Sequence, residues 1–404
     1  MKLNDGQYKI YKEALKWFRS SSEQVFEIDG PAGVGKSVLM HAILRGLNLR
    51  SDQYMSMAYT GQAAIIMRTK GFKDSRSIHS SLYEVIEYID HDDISTKFGT
   101  PKKKRIFRKK QFIDPHVRLF FIDEAYMVPG FMVGDILSFG VKVIVCGDSN
   151  QLPPIGDKPA FLCNPNRCHH LTELMRQSKD NPIIYLANRV LNNEPIHCGM
   201  YGNSVMVANV SDFFPEMLGY ADTIITATNK SRDIFNNFVR DYLGFYTIFP
   251  NYGERLICRN NNWDLQIDGI ALANGLCGYC TYPPDMLTTT RDTFRIGFKP
   301  DIINAAFDTL DVNIKYFTSD YGTRREFKNN GGYKVEGELF EYAYALTTHL
   351  SQGAEYDKGI ILNEFLRPQL QKQLEYTAIT RFKKSIIILK KDIKYLDFNR
   401  FLAK

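Results

Sequence analysis

No apolar run in the sequence reaches the roughly 18 residues that a membrane-spanning helix needs. The opening residues, Met1 to Gln7, contain no apolar core of a secretory signal. Cysteine is sparse: seven residues, an odd number scattered through 404, which excludes a dense disulfide framework. Charge of one sign is also in short supply. Lys and Arg number 51 against 45 Asp and Glu, and the resulting +6 does not by itself argue for a polyanionic partner. Tandem repeats and long low-complexity tracts are missing. What remains is an ordinary globular composition, 44% hydrophobic and 24% charged, in a chain long enough for about two to four domains. A reducing, cytoplasmic setting is expected.

The informative features are local. Val25-Phe26-Glu27-Ile28-Asp29 reads as a short buried strand. Gly30-Pro31-Ala32-Gly33-Val34-Gly35-Lys36-Ser37 follows directly, and then an apolar-periodic stretch from Val38 to Leu47. Strand, glycine-rich loop and helix in this order make a phosphate cradle. Gly30, Gly33 and Gly35 let backbone N–H groups turn inward, and the helix N-terminus adds partial positive charge. Lys36 would reach the β- and γ-phosphates of a nucleoside triphosphate, and the Ser37 hydroxyl would ligate Mg²⁺. Further on, the apolar run Arg118 to Ile122 ends in Asp123-Glu124. An Asp delivered by a strand beside the phosphate loop can hold Mg²⁺, and Glu124 is placed to take a proton from an attacking water. ATP and Mg²⁺ are therefore the expected cofactors, with hydrolysis the expected outcome.

A third strand, Val141 to Cys146, leads into Gly147-Asp148-Ser149-Asn150-Gln151-Leu152-Pro153-Pro154-Ile155-Gly156. This resembles the "GDxxQLPP" motif of superfamily 1 helicases, in the branch of RecD, Dda and the PIF-type enzymes. A ten-residue match with two prolines is far more specific than a phosphate loop. The resemblance extends from residue 3 to about 390 and is most like a compact phage Dda-type helicase. It implies that Gln151 senses the γ-phosphate and that Gln7, in Leu3-Asn4-Asp5-Gly6-Gln7, reads adenine. Tyr59 to Ala64 and Ser77 to Leu82 resemble DNA-contacting segments, which implies DNA roles for Thr60 and His79. Here Gln62 stands where the family often has Lys, and Ser77 where it has Thr. Leu171 to Gln177 and Tyr376 to Arg381 resemble motifs whose arginines, Arg176 and Arg381, point at the γ-phosphate. Tyr342 to Asp357 is similar to the family's "AxTxHKSQGxEF" segment, with Leu350 in place of Lys. It implies DNA contacts from Thr348, Ser351 and Gln352, and a ribose contact from Glu355. Ala273 to Gly278 resembles the "NGxxG" turn of the branch that moves 5′ to 3′.

The family implies an α/β architecture of two RecA-like P-loop domains with parallel sheets. Residues 1–160 would be the first, with a hairpin insert at about 88–115. Residues 161–250 and 340–404 would be the second, interrupted at 251–339 by an SH3-like β-barrel. The turn-rich composition of 251–339 suits short strands. The hairpin insert carries a basic cluster between Lys102 and Lys110, and Phe98 or Phe107 is expected to act as a strand-separating pin. The implied function is an ATP-dependent helicase moving 5′ to 3′ on single-stranded DNA and separating a duplex fork. The alternative is a protein-displacing remodeller that unwinds little. A non-enzymatic subunit with a decayed motor conflicts with the intact Lys36, Asp123, Glu124, Gln151 and Arg381. The implied partners are DNA, and single-strand-binding, replication or recombination proteins in a bacterial or phage-infected cell. No membrane contact is expected, and the chain is expected to act as a monomer. Two cysteine groups have metal-like spacing: Cys277-x-x-Cys280, and Cys163 and Cys168 with His169 and His170. They lie over a hundred residues apart and are read as ordinary buried thiols rather than a shared tetrahedral zinc site.

Overall fold

A computed structural model describes residues 3–89, 103–162, 164, 167–173, 180–268, 270–285, 287–329, 336–364 and 368–390. The chain divides into two compact units. One comprises Met1–Ser77, Asp114–Phe235 and Tyr344–Lys404; the other comprises Ile78–Ile113 and Asn236–Ala343.

The first unit contains two six-stranded sheets. One runs in the order Arg76–Ser77, Tyr54–Ala58, Leu119–Asp123, Lys142–Gly147, Val25–Asp29, Cys168–His170, and every pairing is parallel. Parallel strands covered on both faces must be apolar throughout, not alternating. The sequence obeys: Leu119, Phe120, Phe121 and Ile122 are all completely buried. The helices Asp5–Ser20 and Lys36–Leu47 lay Ile10, Ala14, Leu39, Met40 and Ile43 into one core with Phe26, Ile28, Phe121 and Ile144. Burying a side chain of this size contributes about 1.5–3 kcal/mol. Asn4 starts the first helix as its N-cap and forms a reciprocal capping box with Gln7.

The second sheet runs Ala345–Thr347, Thr223–Thr226, Tyr356–Asn363, Phe382–Lys390, Val205–Asn209, Gly199–Tyr201. Its pairings are parallel except for the last strand, which closes the edge antiparallel. Two parallel sheets with helical crossovers form the expected pair of RecA-like folds. In the first, Val25–Asp29 lies inside the sheet between Lys142–Gly147 and Cys168–His170. The crevice beyond its carboxyl end is where such sheets bind ligands.

The second unit is β-rich. Tyr83–Ile89 and Lys103–Lys109 form an antiparallel hairpin from Tyr83↔Lys109 to Ile89↔Lys103, reinforced by Arg108 and Glu84 at 2.8 Å. A five-stranded antiparallel sheet runs Phe307–Asn313, Thr293–Pro300, Cys277–Tyr282, Arg255–Cys258, Phe340–Tyr342. In this unit, which comprises residues 236–343 alongside the hairpin segment, Arg240 is a buried tie. Its Nε lies 2.7 Å from the buried Glu254 carboxylate, and its guanidinium lies 4.0 Å from the Tyr342 ring. Among the described residues no helix is long and apolar enough to cross a membrane.

Candidate functional site

The phosphate loop leaves the strand Val25–Asp29 and closes on the helix starting at Lys36. Gly33 and Gly35 have φ of 84° and 77°, left-handed values that a side chain would strain. With both in place, the loop lines a cavity of about 380 Å³, within the usual range for small-ligand pockets. Its lining brings together Gly33, Gly35, Lys36, Ser37, Lys70, Asp123, Glu124, Gln151, Gly353, Glu355 and Arg381. Nine of these were expected from the sequence. Lys36 Nζ donates to the Gly30 and Pro31 carbonyls at 2.6 and 3.1 Å, so the loop's own oxygens hold the ammonium over the cradle.

Asp123 ends its strand, and Glu124 follows with φ of 51°. That turn presents the two carboxylates in succession, and the Glu124 N–H donates to Asp123 Oδ1 at 2.9 Å. Asp123 is exposed only in part and lines the cavity. Burial, and then the neighbouring Glu124 charge, push its carboxyl up to about 6. A buried carboxylate held toward protonation in this way, with a second one beside it, is a site that gains from a cation. Gln151 has a buried side-chain oxygen with no protein partner. An amide can present either its oxygen or its NH₂ to a ligand. The glycine cradle, the Ser37 hydroxyl, the strained Asp123 and this unmatched amide fit a metal-bound polyphosphate chain.

The second fold reaches the same cavity. Arg381 is buried, donates to the Thr377 and Ala354 carbonyls at 3.2 and 3.4 Å, and lies 3.9 Å from Glu124. Tyr376 donates its hydroxyl to Asp148 at 2.6 Å and accepts from the Ala32 N–H of the phosphate loop at 2.9 Å. Thr377 accepts from the Leu152 N–H at 3.0 Å, and Gln352 donates to the Leu152 carbonyl at 3.0 Å. The QLPP loop is thus held on two sides by the second fold. Burial raises the Asp148 carboxyl, and the same burial, with the Asp148 charge, raises the Tyr376 phenol.

Other expected residues stand elsewhere. Gln7 is fully buried; its amide donates to the Val34 and Gly35 carbonyls and accepts from the Asn4 N–H. It shapes the loop from behind and does not line the cavity. Thr348 and Ser351, expected at DNA, are buried and donate to the Thr226 and Thr348 carbonyls at 3.2 and 2.9 Å. With Gln352, they brace the loop through its backbone. Thr60 caps the helix Gly61–Thr69. Phe107 is 40% exposed and pairs with Val85 near the root of the hairpin, its ring 5.8 Å from His79. Burial lowers the basicity of His79 and favours the neutral ring. Arg176, Phe98 and Cys163 lie outside the described residues. Cys277 and Cys280 are buried, and burial pushes both thiols up to about 12. Cys168 departs from the buried-thiol reading: it is partly exposed on a sheet-edge strand.

Sequence reasoning missed Lys70, a single lysine after a helix with no motif around it. It pairs with Glu355 at 2.5 Å inside the cavity. Burial alone would lower its basicity, but Glu355, Asp123 and Glu124 outweigh that and raise it. Burial would likewise raise Glu355, and Lys70 with Lys383 and Arg381 overrides it and lowers it.

Residues 2–210, just over half of the chain, match the family described as AAA domain. The chain is 27% identical over 282 residues to the ATP-dependent RecD2 DNA helicase of Deinococcus radiodurans, covering 65% of this chain and 35% of that protein. It is 23% identical over 449 residues to an uncharacterized protein of Methanocaldococcus jannaschii, covering 92% of this chain and 37% of that one. It therefore spans little more than a third of these curated relatives. In structure it is similar to the Pif1 helicase from Bacteroides in complex with ADP-AlF3 and ssDNA, with TM-score 0.55 at 17% identity over 100% of this chain and 98% of that one. The Pif1 helicase from Candida albicans matches with TM-score 0.51 at 16% identity, over 100% of both chains. With its family match over more than half of its length, the chain belongs to the AAA domain family.

Proposed function

We propose that this chain is an ATP-dependent DNA helicase that moves 5′ to 3′ along single-stranded DNA. The observation that carries the reading is the shared cavity. Lys36, Ser37, Asp123, Glu124 and Gln151 of the first fold meet Glu355 and Arg381 of the second around one cavity. Two folds that jointly enclose a triphosphate are drawn together when it binds and released when its γ-phosphate leaves. That difference in affinity is what a motor needs.

Ser37 and Asp123 are the residues that would hold Mg²⁺, which when bound supplies positive charge against the phosphate oxygens. Glu124 takes the proton of the attacking water. Lys36 and Arg381 stabilise charge that develops on the γ-phosphoryl oxygens, from opposite folds. We assign Arg176 the same duty. Gln151 orients the water or the γ-phosphate, and the Leu152 clamp to Gln352 and Thr377 carries its movement to the second fold. Within the first unit, Thr60 and the segment at Thr348–Gln352 contact DNA, the latter through its backbone; within the second, His79 is assigned a DNA contact of its own. Residues 1–160 with 161–250 and 340–404 constitute the motor, and 251–339 an SH3-like accessory domain. The relatives' names support the DNA substrate: one is a DNA helicase, and one matched structure holds ssDNA.

Steady-state ATP hydrolysis with and without single-stranded DNA tests this. DNA stimulates wild-type turnover several-fold, and Lys36→Ala lowers it by about 100-fold or more. Turnover indifferent both to DNA and to Lys36 would refute the reading.

A further inference from the structure

One cysteine and histidine cluster has no part in the motor chemistry. The strand Cys168–His170 is only three residues long and forms an edge of the first sheet, paired in parallel with Glu27–Asp29. Alternation along a strand puts Cys168 and His170 on one face and His169 on the other. His169 stacks on Phe26 with ring centroids 4.1 Å apart. On the opposite face, Cys168 and His170 meet the Asp29 carboxylate, and the three donor atoms lie within 4.8 Å of one another. His170 Nδ1 is 3.4 Å from Asp29 Oδ2.

We propose that Asp29, Cys168 and His170 form a binding site for a borderline-soft divalent cation of the zinc class, separate from the phosphate-loop cavity. The donor set suits such an ion and not Mg²⁺. Thiolate and imidazole favour zinc-like metals, whereas Mg²⁺ takes oxygen ligands in an octahedron. Metal bonds of about 2.0–2.3 Å in a tetrahedron set donor atoms about 3.5 Å apart. Closing from 4.8 Å needs a shift of about an ångström, and half-exposed His170 can supply it by side-chain rotation. Its exposure also leaves a path for the ion and a fourth position for water.

The anchoring is already built. Asp29 is buried, and Ser149 donates to it twice, from N–H to Oδ1 at 2.8 Å and from Oγ to Oδ2 at 2.6 Å. Such outer hydrogen bonds orient a metal's carboxylate. Oδ2, which faces His170, would bind the ion while Oδ1 stays with the Ser149 N–H. The ion would staple a short edge strand to the strand that carries the phosphate loop, and pin Ser149, two residues before Gln151.

Cobalt(II) titration of the full chain tests the site, because a cobalt–thiolate bond gives a charge-transfer absorption that a purely oxygen or nitrogen site lacks. Wild type and Cys198→Ser, which removes an exposed thiol elsewhere, should each bind one cobalt with that absorption and displace it with zinc. Cys168→Ser should lose the absorption, and His170→Ala should weaken binding tenfold or more. Thermal melting without metal should be similar in all four, and zinc should raise the melting temperature only of wild type and Cys198→Ser. His170 is exposed, so His170→Ala tests the site even if Cys168→Ser folds poorly. Full absorption in Cys168→Ser, loss of it in Cys198→Ser, or unchanged affinity in His170→Ala would overturn the proposal. None of these readouts depends on ATP hydrolysis, so a failed site and a failed motor reading are told apart.

Discussion

Lys70 and Glu355 come from different folds and meet at 2.5 Å within reach of Asp123 and Glu124. A partly exposed ion pair contributes little to stability, about 0–1 kcal/mol. The same lysine beside a phosphate chain in a confined cleft would stabilise developing charge far more. Lys70→Met should therefore lower kcat/KM for ATP by about tenfold or more, with an unfolding free energy within ~1 kcal/mol of wild type. Wild-type kcat/KM would reduce Lys70 to an ordinary ion pair. Asp123 makes the opposite kind of prediction. Its carboxyl is raised from 3.8 to about 6, first by burial and then by Glu124. A raised folded-state value means that the folded protein holds the proton more tightly than the unfolded chain. The cost is absent below the unfolded value and fully present above about 6. Asp123→Asn should then stabilise nucleotide-free protein by about 1–3 kcal/mol at pH 8 and by nothing at pH 3. Urea unfolding at both pH values checks this; a variant less stable at pH 8 would contradict the charge-burial account.

The loops between elements decide how the two folds meet. Gly353 has φ of 75°, and a Cβ there would fall 2.8 Å from the Ala63 Cβ and 3.2 Å from Thr60 Oγ1. The loop of the second fold thus rests directly on the helix that Thr60 caps. Gly353→Ala must strain the backbone and push that contact apart, costing about 1–3 kcal/mol. Denaturant unfolding should show that loss, together with a tenfold or greater fall in ATP turnover; a neutral variant would mean that the contact is dispensable. The motifs behind this arrangement were legible because each sits at a strand end. Strands predicted at Val25–Asp29, Arg118–Ile122 and Val141–Cys146 fall within a residue of those observed, since continuous apolar runs are unmistakable in parallel sheets. Lys70 was illegible because nothing local marks a lysine whose partner lies 285 residues away. The bonds that Thr348, Ser351 and Gln352 donate to backbone carbonyls were illegible for a related reason. A motif tells which residues recur, not whether their polar atoms face a ligand or a carbonyl of their own fold. The buried pair of Arg240 with Glu254 is likewise a contact that no composition shift announces.

As a whole molecule the chain invests its two mainly parallel sheets in one cavity and places an antiparallel hairpin and a five-stranded antiparallel sheet in a separate unit. That division suits a motor whose chemistry is general and whose grip on a DNA fork depends on inserted parts. The hairpin paired from Tyr83 to Lys109 is the part the resemblance implies would meet a duplex. The central claim, directional strand separation driven by ATP, is tested most directly with duplexes bearing a 5′ or a 3′ single-stranded tail, using Lys36→Ala as the control. The account predicts ATP-dependent opening of the 5′-tailed duplex alone, abolished in the control. Opening of the 3′-tailed duplex alone would contradict the assigned direction. Opening of neither, with hydrolysis still stimulated by DNA, would contradict the helicase assignment and leave a motor that displaces proteins from single strands.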